Sequence, residues 1–223
     1  MSVEKAGKDA EMADLEIIRK TVGQLGTNCY ILVNHETDEC VVFDPGGDPE
    51  FLKEIFQSPV FSLKAIFLTH GHWDHIGAVK ELKNRFQVPV YASREENEQV
   101  LKNVEANLTG MFGLPMTLEA DNLLRDGETI ELIGTRIQCI LTPGHTAGGM
   151  CFYIEELKSL IAGDTLFLES VGRTDFPTGS FAVLVHSIHE KLFTLPDDTK
   201  VYPGHMDETT IGWEKENNMV CAL

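Results

Sequence analysis

The stretch "FLTHGHWDHIGAV" (residues 67–79) crowds His70, His72, Asp74 and His75 into six positions directly behind the apolar run "LKAIF". A short apolar run that breaks into polar residues reads as a strand delivering side chains at the edge of a sheet. Neutral imidazole and carboxylate are the ligand types of zinc and other first-row divalent ions, and the lack of cysteine in the cluster argues against a structural Cys-rich site.

The same pattern recurs downstream. "TRIQCILTPGH" (135–145) ends at His145, "TKVYPGH" (199–205) ends at His205, and "SLIAGDTL" (159–166) carries Asp164. Strand ends on one edge converge in space, so the cluster can be completed by single residues from distant loops. Seven such groups exceed what one tetrahedral ion needs, whereas two ions sharing one ligand would use them all. Taken singly, His145 and His205 read equally well as structural histidines, and Asp164 as a turn or cap residue; their company is what sets them apart. His186 and His189, one helical turn apart, and His35 in a polar hairpin read as structural. Asp44, ending "VVFD", reads either as a turn former or as an acceptor for the outer N–H of a ligand histidine.

Further apolar runs at 29–34, 40–47, 88–93, 129–134 and 149–154 predict strands, and apolar spacing predicts helices over 48–57, 75–86 and 180–193, the first capped by Asp48 with Pro49 at its first position. Without a regular strand–helix alternation, the pattern favours two sheets with outer helices over a doubly wound fold. Residues 1–14 read as a loose N-terminal extension and 15–223 as one domain. The stretch 105–128 reads as a long loop whose Met111, Phe112, Leu114 and Met116 either pack locally or line a pocket mouth or subunit contact.

With 223 residues, a net charge of −17 and a pI near 4.8, the chain is poorly suited to a phosphate backbone. It has neither a run long enough for a membrane span nor the apolar core of a secretory signal, so the expected location is the cytoplasm. Cys29, Cys40, Cys139, Cys151 and Cys221 are scattered, without a CxxC pair, and read as reduced thiols, mostly buried.

Together "THGHWDH", "TPGHTAGG", "AGDTLF" and "VYPGH", in this order, resemble the signature motifs of the metallo-β-lactamase superfamily. The resemblance implies an α/β fold, a four-layer αβ/βα sandwich of two mixed β-sheets with outer helices. It further implies that His70, His72 and His145 hold one divalent ion, that Asp74, His75 and His205 hold a second, and that Asp164 bridges them. Zinc is the first expectation, with iron or manganese as alternatives. The best-known bacterial β-lactamases of this kind carry a cysteine at the position of Asp164, so the set is more similar to the glyoxalase II type, the hydroxyacylglutathione hydrolases. That likeness implies hydrolysis of small thioesters such as S-D-lactoylglutathione by a hydroxide held between the ions, with Asp74 orienting it.

"VGRTDFPTGS" (171–180) resembles a segment of single-domain glyoxalase II-like proteins and of persulfide dioxygenases, which use one iron on the same fold. By the resemblance Arg173 is a substrate-binding residue that meets a glutathione carboxylate; read from the residues alone, it forms a salt bridge with Asp175. Residues 206–223 are all that follow His205, so the helical domain that adds glutathione contacts in larger relatives is not expected. The expected partner is a small thioester, possible glutathione conjugates included, with neither nucleic acid nor membrane, in a monomer or dimer. A one-iron persulfide dioxygenase is the alternative; an RNA-processing nuclease and a non-catalytic binding module fit less well.

Overall fold

The computed structural model describes residues 13–113 and 115–221. Its first sheet takes β1 (Leu15–Val22), β2 (Thr27–Asn34), β3 (Glu39–Phe43), β4 (Ser62–Phe67), β5 (Val90–Ser93) and β6 (Asn122–Leu124), in that spatial order. β1 to β3 pair antiparallel and β3 to β6 parallel, with α1 (Pro49–Gln57), then α2 (Trp73–Ile76) and α3 (Val79–Phe86), then α4 (Arg94–Glu96) in the crossovers. The second sheet uses β7 (Thr129–Leu132), β8 (Thr135–Leu141), β9 (Met150–Ile154) and β10 (Ser159–Gly163). A small hairpin follows, β11 (Leu166–Phe167) with β12 (Ser170–Val171). After α5 (Phe181–Ser187), β13 (Lys200–Pro203) and β14 (Thr209–Thr210) complete the second sheet, and α6 (Ile211–Asn217) closes the described chain. Only the β10–β13 pair is parallel there, so both sheets are mixed.

Side chains alternate across a strand, and here both faces are buried, which is why the strands read as unbroken apolar runs. On β2, Tyr30 and Leu32 enter the core between the sheets, where Phe43, Phe67 and Phe152 meet at centroid distances of 5.3–5.4 Å. Cys29, Ile31 and Val33 turn the other way, onto Leu52 of α1 and Val79 and Leu82 of α3. The outer face of the second sheet packs Cys151, Leu160 and Val201 against Leu184 of α5 and the π-helical Ile188–Leu192 that continues it. Four layers result, helix, sheet, sheet and helix, with every strand expected from the apolar runs present. Among the described residues no helix is long and apolar enough to cross a membrane.

Some expectations are corrected. Residues 15–22, adjacent to the presumed extension, form edge strand β1; it exposes Glu16 and Arg19, and such half-solvated strands carry a weak apolar signal. Residues 1–12 lie outside the described chain. The helix expected over 75–86 is two helices, broken at Gly77 and Ala78, because the chain here presses against the Pro45–Gly46–Gly47 turn. A Cβ on Gly77 would stand 2.3 Å from the Gly46 carbonyl oxygen, and Ala78 N–H donates to the Pro45 carbonyl at 2.9 Å. Asp48 does precede α1, yet its carboxylate does not cap that helix; it accepts from Gly23 N–H at 2.8 Å and ties two loops together. Within 105–128, residues 122–124 form β6 and the remainder is turn and loop; Leu114 lies outside the described residues.

One buried carboxylate joins the two histidine-bearing loops. Glu96, with no exposed surface, accepts from Gly71 N–H at 2.7 Å, from the Thr146 hydroxyl at 2.8 Å and from Gly148 N–H at 3.0 Å. Ser93 adds to the link, accepting from Glu96 N–H and donating to the Gly148 carbonyl at 2.6 Å. Replacing Glu96 by alanine strands three buried donors, and each costs about 1–3 kcal/mol. Glu96→Ala is therefore expected to lower unfolding free energy by about 3 kcal/mol or more in urea titrations, and Glu96→Gln, which keeps one acceptor oxygen, by less. A loss under about 1 kcal/mol for the alanine variant would refute this role.

Candidate metal centre

The first cluster forms where β4 and β8 end. His145 Nε2 lies 3.3 Å from His70 Nε2 and 2.9 Å from His72 Nδ1, with all three rings buried. Nitrogens bound at 2.0–2.1 Å to one tetrahedral ion stand about 3.3 Å apart, so this is the spacing of co-ligands. Burial, then the neighbouring imidazoles, hold His70 and His72 well below the usual imidazole range, and burial lowers His145 as well. Unprotonated rings are the state in which imidazole binds a metal.

Asp74 and His75 on α2 meet His205, which follows β13. Asp74 Oδ2 is 3.2 Å from His205 Nε2 and 3.7 Å from His75 Nε2. Asp164, just beyond β10, stands between the clusters: Oδ2 is 3.7 Å from both His145 Nε2 and His205 Nε2, and Oδ1 is 3.4 Å from His75 Nε2. His75 Nε2 and Asp164 Oδ1 are buried and have no hydrogen-bond partner. Burial opposes a charged His75, but the carboxylates of Asp164, Asp74 and Asp44 outweigh it and push the ring up to about 10. Burial likewise opposes a charged Asp74, and His75 and His205 nevertheless hold its carboxyl well below the usual range. This concentration of carboxylate suits a cation.

The outer nitrogens explain why the inner ones are free. His75 Nδ1–H donates to Asp44 Oδ2 at 3.0 Å, and His145 Nδ1–H donates to the Arg173 carbonyl at 2.7 Å. The Thr69 hydroxyl donates to Asp44 at 2.5 Å and so accepts from His70 Nδ1–H at 3.1 Å. Each bond holds the outer proton on Nδ1 and turns Nε2 inward; His70 and His145 already offer a lone pair there, and His75 offers one once a cation takes the place of its inner proton. Asp44 also lies close to His70 and His75, but its oxygens are taken by Thr69 and His75, so this grouping is a support and not a further ion site. The donor set, five imidazoles and two carboxylates with orphaned inward atoms, fits divalent metal ions.

All seven residues singled out in the sequence as ligand candidates are thus brought together. His186 is exposed, His189 bonds the Val220 carbonyl and His35 pairs with Glu16, all away from the centre. Arg173 reaches the cleft wall, where Nε and Nη2 each bond Asp175 at 2.7 Å and the guanidinium lies 3.9 Å over the Phe176 ring centroid. The five cysteines are free, four of them buried, and none lines the cleft. Sequence reading missed Glu96, Thr69 and the Arg173 carbonyl, and also Thr27, whose hydroxyl donates to Asp74 Oδ2 at 3.2 Å. Of these, only Thr69 stood within the decisive motif. The cleft above the ligands holds about 470 Å³, and Met111 and Phe112 border it, whereas Met116 packs into the core.

Comparison with known proteins agrees with this geometry. Over 202 residues the chain is 36% identical to the probable metallo-hydrolase YqgX of Bacillus subtilis, spanning 90% of this chain and 94% of that protein. It is 37% identical over 211 residues to the hydroxyacylglutathione hydrolase GloC of Haemophilus influenzae, spanning 92% and 96%. Among solved structures, the BLEG-1 B3 metallo-β-lactamase superposes with a TM-score of 0.85 at 36% identity, covering 92% of this chain and 98% of that one. TTHA1623, solved in a di-iron-bound form, gives 0.78 at 34% identity, covering 91% and 98%. Residues 22–205, which hold every one of the seven converging side chains, match the family model, and the chain belongs to the metallo-β-lactamase superfamily.

Proposed function

We propose that the protein is a binuclear metal-dependent hydrolase of small thioesters, of the kind that converts S-D-lactoylglutathione to D-lactate and glutathione. In this reading His70, His72 and His145 hold one divalent ion, Asp74, His75 and His205 hold the other, and Asp164 serves both. The observation that carries it is the position of Asp164, within 3.7 Å of His145 on one side and of His205 on the other. The likeness to a protein named hydroxyacylglutathione hydrolase supports the thioester, and the di-iron form of TTHA1623 supports two ions, with zinc, iron and manganese all compatible with N/O donors.

When bound, the ions supply a water ionised near neutral pH and a Lewis acid for the carbonyl oxygen. The chain contributes position. Asp74, ionised and steadied by Thr27, borders the cleft and accepts the hydrogen bond that aims the attacking water. Asp44 and the Arg173 carbonyl keep His75 and His145 in the tautomers that face inward. No cysteine nucleophile is available, since burial pushes Cys40 up to about 12 and Cys151 up to about 11, far from the cleft's lining. A net charge of −17 suits a small-molecule partner in the cytoplasm better than a nucleic acid.

A one-iron persulfide dioxygenase would draw on His70, His72 or His145 with Asp164 and leave Asp74, His75 and His205 idle. The bond from His75 to buried Asp44 favours the two-ion reading, because it fixes a ring that the alternative does not use.

Metal-loaded protein is expected to hydrolyse S-D-lactoylglutathione, followed by loss of thioester absorbance; chelation should abolish the activity and added Zn²⁺ restore it. Protein carrying two equivalents of metal and inert toward both acyl-glutathiones and thioesters of uncharged thiols would end this reading. His75→Ala is expected to lower kcat/KM roughly 100-fold or more, the effect of several kcal/mol of lost charge stabilisation, and to cut bound metal from about two ions to about one. Oxygen uptake with glutathione persulfide that survives this substitution would favour the dioxygenase instead.

A further inference from the structure

The cleft over the metal centre has walls that the ligand set does not explain. Ten large hydrophobic side chains stand exposed among the described residues, and four of them line this one cleft: Leu25, Met111, Phe112 and Met206, at 57%, 71%, 51% and 55% exposure. They come from three separate segments: the turn between β1 and β2, the loop before β6 and the turn after β13. Trp73, beside the ligands, packs against Phe112 with centroids 4.3 Å apart and the rings tilted by 33°, and extends the same wall. Apolar surface gathered from distant segments around one opening marks a place where an apolar group is covered.

The charge pattern points the same way. Among the described residues that line the cleft, Arg173 is the one lysine or arginine, and its guanidinium is engaged by the Asp175 carboxylate through both Nε and Nη2. A glutathionyl group brings two carboxylates and one ammonium, and its carboxylates, lying beyond the metal centre, would find no lysine or arginine free of a carboxylate partner among the described lining residues and would approach a chain of net charge −17. An anionic group desolvated without a partner is disfavoured, whereas each methylene placed in an apolar pocket improves kcat/KM by about tenfold or more.

We infer that this cleft selects thioesters of apolar acyl groups on an uncharged thiol over hydroxyacylglutathiones. The inference rests on the thioester-hydrolase reading and narrows its substrate class: Trp73, Met111 and Phe112 form the wall that receives the acyl chain, while Arg173 is spent on Asp175 and the loop it closes.

The test compares kcat/KM of the full, zinc-loaded chain on four compounds: S-D-lactoylglutathione and the N-acetylcysteamine thioesters of acetate, hexanoate and phenylacetate. The hexanoyl and phenylacetyl thioesters are expected to exceed S-D-lactoylglutathione by about tenfold or more, and to exceed the acetyl thioester. The Met111→Ser/Phe112→Ser double variant, altered only at exposed positions, should raise KM for the hexanoyl thioester about tenfold and erase its advantage over acetyl. A value for S-D-lactoylglutathione equal to or above that of the hexanoyl thioester overturns the inference and leaves thioester hydrolysis standing. Hydrolysis of none of the four overturns the functional reading and the inference with it.

Discussion

Burying five imidazoles and two carboxylates at one rim of an apolar core is costly unless each polar atom is given a partner, and much of the surrounding structure meets that demand. Asp44, Thr69 and the Arg173 carbonyl take the outer nitrogens of His75, His70 and His145. Glu96 binds the backbone of one histidine loop to that of the other. Three ligand atoms are left buried without partners, the outer His72 Nε2 and the inward His75 Nε2 and Asp164 Oδ1, and the last two stand where the clusters face each other. The two clusters also differ in character, one all imidazole and stripped of protons by burial, the other rich in carboxylate.

The fold presents this centre by ending strands at a common edge. β4, β8, β10 and β13 each stop within a few residues of His70, His145, Asp164 and His205, and the sheets that carry them are pinned together by Phe43, Phe67 and Phe152. A rigid core of aromatic contacts therefore sets distances among side chains that are far apart in sequence. The same scaffold hosts different chemistries, so what distinguishes one member from another lies in the loops above the ligands, which here place Met111, Phe112 and Arg173 in the cleft wall.

Much of this was legible from the chain because the signals were local. "THGHWDH" announces its ligands within one turn, and the apolar runs of β2, β4 and β9 are long because both their faces are buried. The features that escaped depend on tertiary proximity. β1 hides behind its solvated face. The break between α2 and α3 comes from the approach of Gly46 to Gly77, which the apolar spacing of 75–86 does not encode. Glu96 sits in an unremarkable polar run, and its partners are 25 to 52 residues away. Arg173 was read as meeting either substrate or Asp175; the structure shows the pairing with Asp175 and adds a backbone contact to His145 that no side-chain motif signals.

The central claim is that one carboxylate, Asp164, joins two metal sites. Anomalous diffraction from crystals of the metal-loaded protein measures this directly. The account predicts two peaks about 3.5–4 Å apart flanking the Asp164 carboxylate, one against His70, His72 and His145 and the other against Asp74, His75 and His205. A single peak at the three-histidine cluster, with Asp74 and His205 bonded only to each other at saturating metal, would contradict it.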